Sequence, residues 1–594
     1  MEKINRAKAV GSIFVLVILI SSSIAVFFII PATKARAILI SPRLGVPMRG
    51  PSVEGYRNSS GIAGQVEIQI SIEPIDVPIP SRWLNKENWK VYLVPSVLRS
   101  GISYLLSVET VKRIDNPSVF ISEGLDTSNL YETAISLVCN IPNSLHPVLY
   151  DIIVAFSTTE SQINEYLSLY EPKPGSWKSM DGSYSKTFIV SEPSCLYLPW
   201  QFDAESFDGI KTVGDKFLVN PFSILHVTDS HYSPNRTEIM GNNSGWERDS
   251  HILAPELIIL SGDLMENPAE TISEYDTAYQ RLINLGSPVL ITSGNHDQKN
   301  LGPWYHYFGS SFGAVVCSDV KIGYMTNVLP VGTPVFEYMS RRFVENRKSV
   351  NIMIYHYPPE PSYAGASWIS LLEMAITNNI DALLVGHNHI DAVVPIEVIF
   401  DYSTLSGGRT QLIQLLAQLS EEQEYLGPIT RPHLILTRSA GKPSRSASDY
   451  LSPSTNETIN QYSGYRRLVI QNNKILNYTY DYNNSGVRDA HNCIPVGRFN
   501  WAVTKDANFG TDPAAKAYIT LINNLNEFIP AARIPLLLEN APTGKAWAPT
   551  SSNASAGVYI RTQFSNTAQT WLDIRAPLSP FQNITIVIEM TNGG

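Results

Sequence analysis

Five apolar runs in the middle of the chain each end in residues of the types that bind metal ions. Each run is long enough for one buried β-strand, and each is followed within three residues by Asp, His or Asn. The residues that follow the five runs are Asp229-Ser230-His231, Gly262-Asp263, Asn295-His296-Asp297, His356 and His387-Asn388-His389.

Taken singly, each of these fragments has an ordinary explanation. An isolated Asp-x-His is usually a capped turn, and a lone buried His is usually a hydrogen-bonded core residue. Five such fragments at strand ends are not explained in this way, because the carboxyl ends of strands in an α/β sheet meet along one edge and bring the fragments together. The sequence therefore predicts that these side chains converge on a metal site.

The order Asp-x-His, Gly-Asp, Gly-Asn-His-Asp, His and Gly-His-x-His resembles the calcineurin-like metallophosphoesterase superfamily. The resemblance is close from about residue 223 to 389 and looser to about 482. It implies an α/β (α+β) fold with a β-sandwich core and flanking helices. It also implies two metal ions, one held by Asp229, His231 and His389, the other by Asn295, His356 and His387, with Asp263 bridging them.

His296 is not a ligand in that family, and the resemblance gives it contact with the phosphoryl oxygen or the leaving group. Catalysis by His296 as an acid needs a raised pKa, for which the neighbouring Asp297 is a candidate partner. Equally, Asp297 could be a turn carboxylate that accepts hydrogen bonds from backbone amides. Both alternatives stay open at the level of sequence.

A ligand set of N and O atoms without thiolate suits divalent Mn, Fe, Zn or Co. The positive charge of two such ions exceeds the negative charge of the two carboxylates, so the site would attract a phosphoester anion. The expected reaction is attack of a metal-activated hydroxide on phosphorus. The substrate class, and whether it is a mono- or diester, stay open.

Two departures from subfamily patterns disfavour purple acid phosphatases and protein Ser/Thr phosphatases as the subfamily of this chain. Purple acid phosphatases carry a Tyr three residues after the bridging Asp, where this chain has Glu266. The arginines typical of protein Ser/Thr phosphatases are replaced near Met265 and Gln298. The aromatic run at residues 304–308 is either a substrate wall or ordinary packing.

Apolar runs and helix-like stretches alternate around these motifs. Strands are predicted there at residues 224–228, 256–260, 288–292, 350–355, 381–385, 465–471 and 475–480, and helices at 270–285, 367–378 and 410–425. Nearer the N-terminus, short strands are predicted at residues 65–72, 89–95, 102–111, 135–141, 149–156 and 187–190. The length of 594 residues suggests three or four domains. We expect a β-sandwich of immunoglobulin type at residues 62–200, the phosphoesterase domain at 221–482 and a β-rich domain at 483–594.

The N-terminus predicts a membrane attachment. Residues 1–31 contain basic residues followed by an uncharged apolar run, which favours a single-pass signal-anchor over a signal peptide that is cleaved to release a secreted protein. Residues 32–61 are expected to form a linker. Sequons that could accept glycans outside the cytoplasm occur at Asn58, Asn235, Asn242, Asn456, Asn477, Asn483, Asn553 and Asn583.

Composition limits the remaining possibilities. Only 16% of residues are charged and the net charge is −10, which argues against nucleic acid as a standing partner. Cys139 and Cys195 lie in the same predicted domain and could pair. The expected partners are a phosphoester substrate, the membrane, and envelope proteins or glycans. The alternative function is a structural envelope protein whose metals only stiffen the fold.

Overall fold

The structure of the protein is a computed structural model. It describes residues 36–42, 46–47, 62–73, 81–97, 102–115, 133–142, 145, 148–170, 176–179, 187–197, 222–268, 272–308, 313–317, 320–325, 349–359, 367–389, 392–396, 432–442, 464–471, 474–477, 494, 497–509, 512–525, 529–539, 546–549, 557–565 and 569–591. The predicted membrane span and the predicted helix at 410–425 lie outside these residues. None of the described helices is both long enough and apolar enough to cross a bilayer.

In its described residues the N-terminal part is a nine-stranded sheet with one short α-helix, α1, at Glu160–Ser168. Its strands pair in the order β1-β3-β6-β5-β4-β7-β9-β2, with β8 beside β9. The bounds are β1 Arg36–Ser41, β2 Val46–Pro47, β3 Ile62–Glu73, β4 Trp89–Pro95, β5 Tyr104–Asp115, β6 Thr133–Pro142, β7 Leu149–Phe156, β8 Ser176–Ser179 and β9 Phe188–Tyr197.

The two halves of this sheet share one apolar core. Val66 of β3, Leu137 of β6 and Val154 of β7 are all buried in it. Cys139 is buried there as a free thiol, so the pairing with Cys195 that the sequence allowed is not formed. Because Leu39 of β1 also joins this core, part of the segment predicted as a linker belongs to the sheet.

The central part contains two sheets that pack face to face. The first has the order β12-β11-β10-β19-β20 and the second the order β13-β14-β15-β16-β18-β17. Their strands are β10 Phe222–Val227, β11 Leu257–Ser261, β12 Val289–Thr292, β13 Gly313–Cys317, β14 Val320–Tyr324, β15 Val350–Ile354, β16 Ala382–Val385, β17 Ala392–Pro395, β18 His433–Leu436, β19 Arg466–Gln471 and β20 Lys474–Asn477.

Both faces of the first sheet are covered, which explains its continuous apolar runs. Ile224 and Ile259 pack against Ile352 of the second sheet. On the opposite face, Leu225 and Leu260 pack against helices. Full burial of each such side chain contributes about 1.5–3 kcal/mol. The β-sandwich core implied by the resemblance is therefore present.

The described residues of the central part form four α-helices: α2 Thr237–Leu253, α3 Ser273–Leu282, α4 Leu301–Phe308 and α5 Ser367–Thr377. Helices α3 and α5 lie within the ranges predicted from sequence. Helix α2 was not predicted, because Gly241, Asn242, Asn243 and Ser244 are poor helix formers. It forms because one face, including Trp246, is buried.

The C-terminal part is made of strands alone in the described residues. One sheet has the order β21-β22-β27-β24 and the other β23-β26-β25. The bounds are β21 Phe499–Lys505, β22 Lys516–Asn523, β23 Ile529–Glu539, β24 Ala546–Pro549, β25 Tyr559–Ser565, β26 Gln569–Leu578 and β27 Asn583–Thr591. Its apolar core is continuous with that of the central helices, so the division at residue 483 stays a prediction.

Candidate metal centre

The motif residues sit on loops at the carboxyl ends of the central strands. Strand β10 runs parallel to β11, and β11 parallel to β12. The loops that follow stay paired, since the Asp229 N–H donates to the Gly262 carbonyl at 3.1 Å and the His231 N–H to the Asp263 carbonyl at 2.9 Å. The backbone thus carries the first two motifs side by side beyond the sheet.

Five predicted ligands have backbone conformations that non-glycine residues seldom adopt. Nine non-glycine residues in the described parts of the chain have positive φ, and five of them are Asp229, His231, Asp263, His387 and His389. Such conformations cost on the order of 1–3 kcal/mol each and persist where the surrounding contacts demand them. Here they turn the side chains toward one point.

The first group of candidate ligands consists of Asp229, His231 and His389, whose ligand atoms lie within 4.8 Å of one another. Asp229 Oδ1 is 3.3 Å from His389 Nε2 and 3.9 Å from His231 Nε2. The other oxygen, Oδ2, accepts hydrogen bonds from the Thr228 hydroxyl at 2.7 Å and the His387 backbone amide at 2.9 Å. One carboxylate oxygen is therefore held by the protein while the other faces the group.

The second group consists of Asp263, His356 and His387, again within 4.8 Å. Asp263 Oδ2 is 3.3 Å from His356 Nε2 and 3.9 Å from His231 Nε2 of the first group. Its Oδ1 accepts the backbone N–H of His296 at 2.8 Å. Asp263 therefore lies between the two groups, as a bridging ligand must.

Asn295 completes the second group through a contact with His356. The Nδ1–H of His356 donates to the Ser261 carbonyl at 2.9 Å, which leaves Nε2 for ligation. That Nε2 lies 3.2 Å from the side-chain oxygen of Asn295. All seven residues predicted as ligands are thus brought together.

His231 is oriented by a residue that the motif pattern does not assign. Its Nδ1 lies 2.8 Å from Glu266 Oε2. Glu266 also contacts the Lys442 ammonium at 2.9 Å and the Arg236 guanidinium at 3.0 Å. This is the position at which the sequence departs from purple acid phosphatases, and it supports a ligand from outside the ligand set.

His296 stands at the open side of the cluster. Its Nδ1 hydrogen-bonds the backbone carbonyl of Glu266, and its Nε2 lies 4.0 Å from Asp263 Oδ2. The side chain is 23% exposed, whereas His231 and His356 are buried. An imidazole in this place can meet a substrate that approaches from solvent.

Asp297 does not support the His296 ring. Its Oδ2 accepts the amides of Gly294 at 2.8 Å and Leu264 at 3.1 Å, and its Oδ1 accepts the amide of Met265 at 3.0 Å. The structure therefore shows the turn carboxylate rather than the catalytic partner. Burial raises the pKa of Asp297 to about 7, and the nearby Asp263 adds to this effect.

The charges of the cluster depend on one another. Burial raises the pKa of Asp229 and Asp263, but His389 beside Asp229 and His356 beside Asp263 outweigh it and hold both values low. Burial lowers the pKa of His356, yet Asp263 brings it to about 9. Burial and His356 lower the pKa of His387 to about 3. A cation at His356 Nε2 requires the neutral ring, so ion binding competes with protonation there.

The aromatic run that follows the Asn-His motif is packing in its described members. Trp304, Tyr307 and Phe308 are buried in the core against Tyr275. A different aromatic residue lies at the site, since the ring of Tyr357 is 4.5 Å from that of His387 and is only partly buried.

The sequence of residues 222–391 matches the family model of the calcineurin-like phosphoesterases. This segment is a calcineurin-like phosphoesterase domain. The match begins at β10 and ends just after the last candidate ligand, while β17, β18, β19 and β20 complete the two sheets beyond it. A comparison with curated proteins found no match.

Three of the solved structures that the chain matches are two phosphatases and an anchor protein, each at low identity and a low TM-score. A purple acid phosphatase from yellow lupin (Lupinus luteus) seeds has 10% identity and a TM-score of 0.37, over 77% of this chain and 70% of its own. GAP50, the anchor in the inner membrane complex of Plasmodium, has 10% identity and a TM-score of 0.28, over 43% and 82%. A dimetal phosphatase from Danio rerio has 10% identity and a TM-score of 0.26, over 43% and 94%.

The residues of the phosphoesterase domain fit divalent cations. Within the described residues no hydrogen bond reaches Asp229 Oδ1 or His231 Nε2, although both atoms are buried. Buried polar atoms without such a partner are costly, and a cation between them would remove that cost. The donors are oxygen and imidazole nitrogen, which suits the divalent ions expected from sequence.

Proposed function

We propose that the chain is a dinuclear metal-dependent phosphoester hydrolase. The observation that carries this proposal is the position of Asp263, one oxygen of which faces histidines of both ligand groups. A single carboxylate between two sets of His and Asp side chains is the arrangement that two adjacent cations require.

The residues of the site have separable tasks in this reaction. Asp229, His231 and His389 would hold one ion, His356, His387 and Asn295 the other, and Asp263 would lie between them. When bound, two divalent ions lower the pKa of water and neutralise charge on the phosphoryl oxygens. The hydrogen bonds to Asp229 Oδ2 and Asp263 Oδ1 orient the carboxylates before any ion arrives.

The task of His296 follows from its contacts. Because Nδ1 faces the Glu266 carbonyl, it carries the proton, and Nε2 is the atom directed at a substrate. The protonated ring can donate a hydrogen bond from Nε2 to a phosphoryl oxygen or a proton to the leaving group. Its partial exposure permits this contact, which the buried ligands cannot make.

A location outside the cytoplasm belongs to the same proposal, with residues 1–31 as a membrane anchor or a cleaved signal. Two sequons support it, because Asn235 and Asn583 are exposed and accessible to a glycan. Asn242 is less suitable, since its Nδ2 donates to the Gly441 carbonyl at 2.9 Å. Envelope proteins or glycans are the proposed partners. Peptide mass spectrometry of protein from its native source checks this, and unmodified Asn235 and Asn583 would contradict glycosylation.

The catalytic proposal is tested by hydrolysis of nitrophenyl phosphate mono- and diesters by protein stripped of metal and then supplied with Mn²⁺. We expect turnover that requires the ion and falls at least about 100-fold in Asp263→Asn, since the amide is a weaker ligand. The exposed Asp512→Asn is the matched control. Fewer than one ion bound per chain, or wild-type turnover no faster than that of Asp263→Asn, would overturn the proposal.

A further inference from the structure

Residues 437–442, which we call the clamp segment, lie beyond the matched family residues and yet contact the metal centre. The amide of Ala440 donates to the Thr228 carbonyl at 2.9 Å, and the amide of Gly441 donates to the Asp229 carbonyl at 3.2 Å. The Ser439 hydroxyl donates to the same Asp229 carbonyl at 2.8 Å. The left-handed backbone of Asp229 is therefore held from outside the motif that contains it.

The clamp segment ends in a lysine whose position is set by that same serine. The backbone N–H of Lys442 donates to the Ser439 hydroxyl oxygen at 2.8 Å. Ser439 is thus donor to Asp229 and acceptor for Lys442. The start of the Lys442 side chain is tied to the backbone of a predicted ligand.

The Lys442 ammonium touches both oxygens of the Glu266 carboxylate, at 2.9 Å and 3.0 Å. The second of these oxygens is the one that lies 2.8 Å from His231 Nδ1. The side chains of Glu266 and His231 are only 6% and 1% exposed. A nearly buried carboxylate needs a cation close by to stay charged, and its charge is what orients the imidazole.

We propose that Lys442 is a positioning residue of the metal centre: through Glu266 it fixes the ring of His231, while the clamp segment that carries it holds the backbone of Asp229. This inference rests on the proposed function, because it concerns the affinity of the same site for its ions. Arg236 is the lesser partner of Glu266, since it reaches one oxygen only and is half exposed.

An ordinary surface ion pair differs from the Lys442–Glu266 pair in its exposure to solvent. Lys516 and Glu589 form such a pair at 2.8 Å on the C-terminal sheet, with side chains 42% and 27% exposed. Pairs of that kind contribute about 0–1 kcal/mol and affect nothing distant. Lys516→Met is therefore a matched control for Lys442→Met.

Calorimetric titration of metal-stripped protein with Mn²⁺ tests the proposal. Loss of a residue that supports a ligand typically weakens metal binding about 10–100-fold, so Lys442→Met should raise the dissociation constant at least about 10-fold. Lys442→Arg keeps the charge, and its guanidinium can contact both carboxylate oxygens, so its dissociation constant should stay within about 3-fold of wild type. The dissociation constant of Lys516→Met should not differ from that of wild type. The visible absorption of bound Co²⁺ should change in Lys442→Met alone, because the ligand geometry changes.

Wild-type affinity in Lys442→Met would overturn the inference, as would an arginine variant as weak as the methionine variant. Should Lys442→Met fail to fold by circular dichroism, Glu266→Gln decides, because it keeps the side-chain shape and removes the charge; wild-type affinity there overturns the proposal. A protein that binds two ions but hydrolyses nothing contradicts the proposed function and leaves this inference standing.

Discussion

One carboxylate oxygen of Asp263 accepts the backbone N–H of His296 at 2.8 Å, and the other lies 4.0 Å from the imidazole Nε2 of the same residue. The carboxylate between the two groups of candidate ligands therefore also holds the residue that we propose contacts the substrate. This hydrogen bond uses the backbone of His296. A mutation can therefore remove the His296 side chain without removing the hydrogen bond to Asp263.

Replacement of His296 by alanine should lower turnover of a nitrophenyl ester about 100- to 1,000-fold, since a proton donor is lost. Affinity for Mn²⁺ should stay at the wild-type value, because alanine keeps the amide that binds Asp263. Steady-state kinetics and calorimetry measure the two quantities. The exposed His251→Ala is the control. An equal fall in Mn²⁺ affinity would show that His296 is a ligand.

The Asp297→Asn variant should lose stability rather than a catalytic partner. Its carboxylate accepts three backbone amides, and an asparagine has a single acceptor oxygen. At least one buried amide then lacks a partner, at a cost of about 1–3 kcal/mol. Denaturant unfolding measures this cost against the exposed Asp512→Asn. Unchanged stability together with a large fall in turnover would favour the catalytic alternative for Asp297.

The Gly386→Ala variant should lose affinity for Mn²⁺. A Cβ atom at residue 386 would collide with the Thr228 hydroxyl and with Asp229 Oδ2, which are already hydrogen-bonded to each other. Gly241→Ala is the matched control, because a Cβ there meets nothing within 4 Å. In helix α2 that change should stabilise the protein by about 0.5–1 kcal/mol. Calorimetry measures the affinity for Mn²⁺ and thermal unfolding measures the stability of each variant. Wild-type affinity in Gly386→Ala would contradict the close packing around residue 386.

Asp249 on α2 should make stability depend on pH. Burial raises its pKa to about 6, although Arg248, the Ile494 amide and the Tyr465 hydroxyl act in the opposite direction. The folded protein therefore holds a proton that the unfolded chain releases near pH 4. The stabilising effect of this proton is complete below pH 4 and is lost as pH rises through 6.

Asp249→Asn removes this contribution, so the stability of wild type minus that of the variant should fall between pH 4 and pH 7. A shift of this size corresponds to at most about 3 kcal/mol. Denaturant unfolding of both proteins across that range measures the difference. A difference that rises with pH would contradict the raised pKa.

Much of the fold could be predicted from local patterns. The β4 and β7 bounds agree with the sequence prediction because alternating or continuous apolar runs between turn residues are strong signals. Helix α2 could not be predicted from sequence, because it is stabilised by the burial of Trp246 and its neighbours in the core and not by the helix propensity of its residues. Leu39 likewise gains its partners only when β1 reaches the N-terminal sheet.

By itself, the sequence determined the types of the candidate ligands, their order and their placement at strand ends, because each motif is local and parallel strands end together. The tertiary structure decided which groups support them. Glu266 and Lys442 are 176 residues apart, and no spacing rule connects them. It also decided between the two roles of Asp297, whose amide partners come from two different loops. Such contacts depend on where packing places distant segments, and that information is not local to any motif.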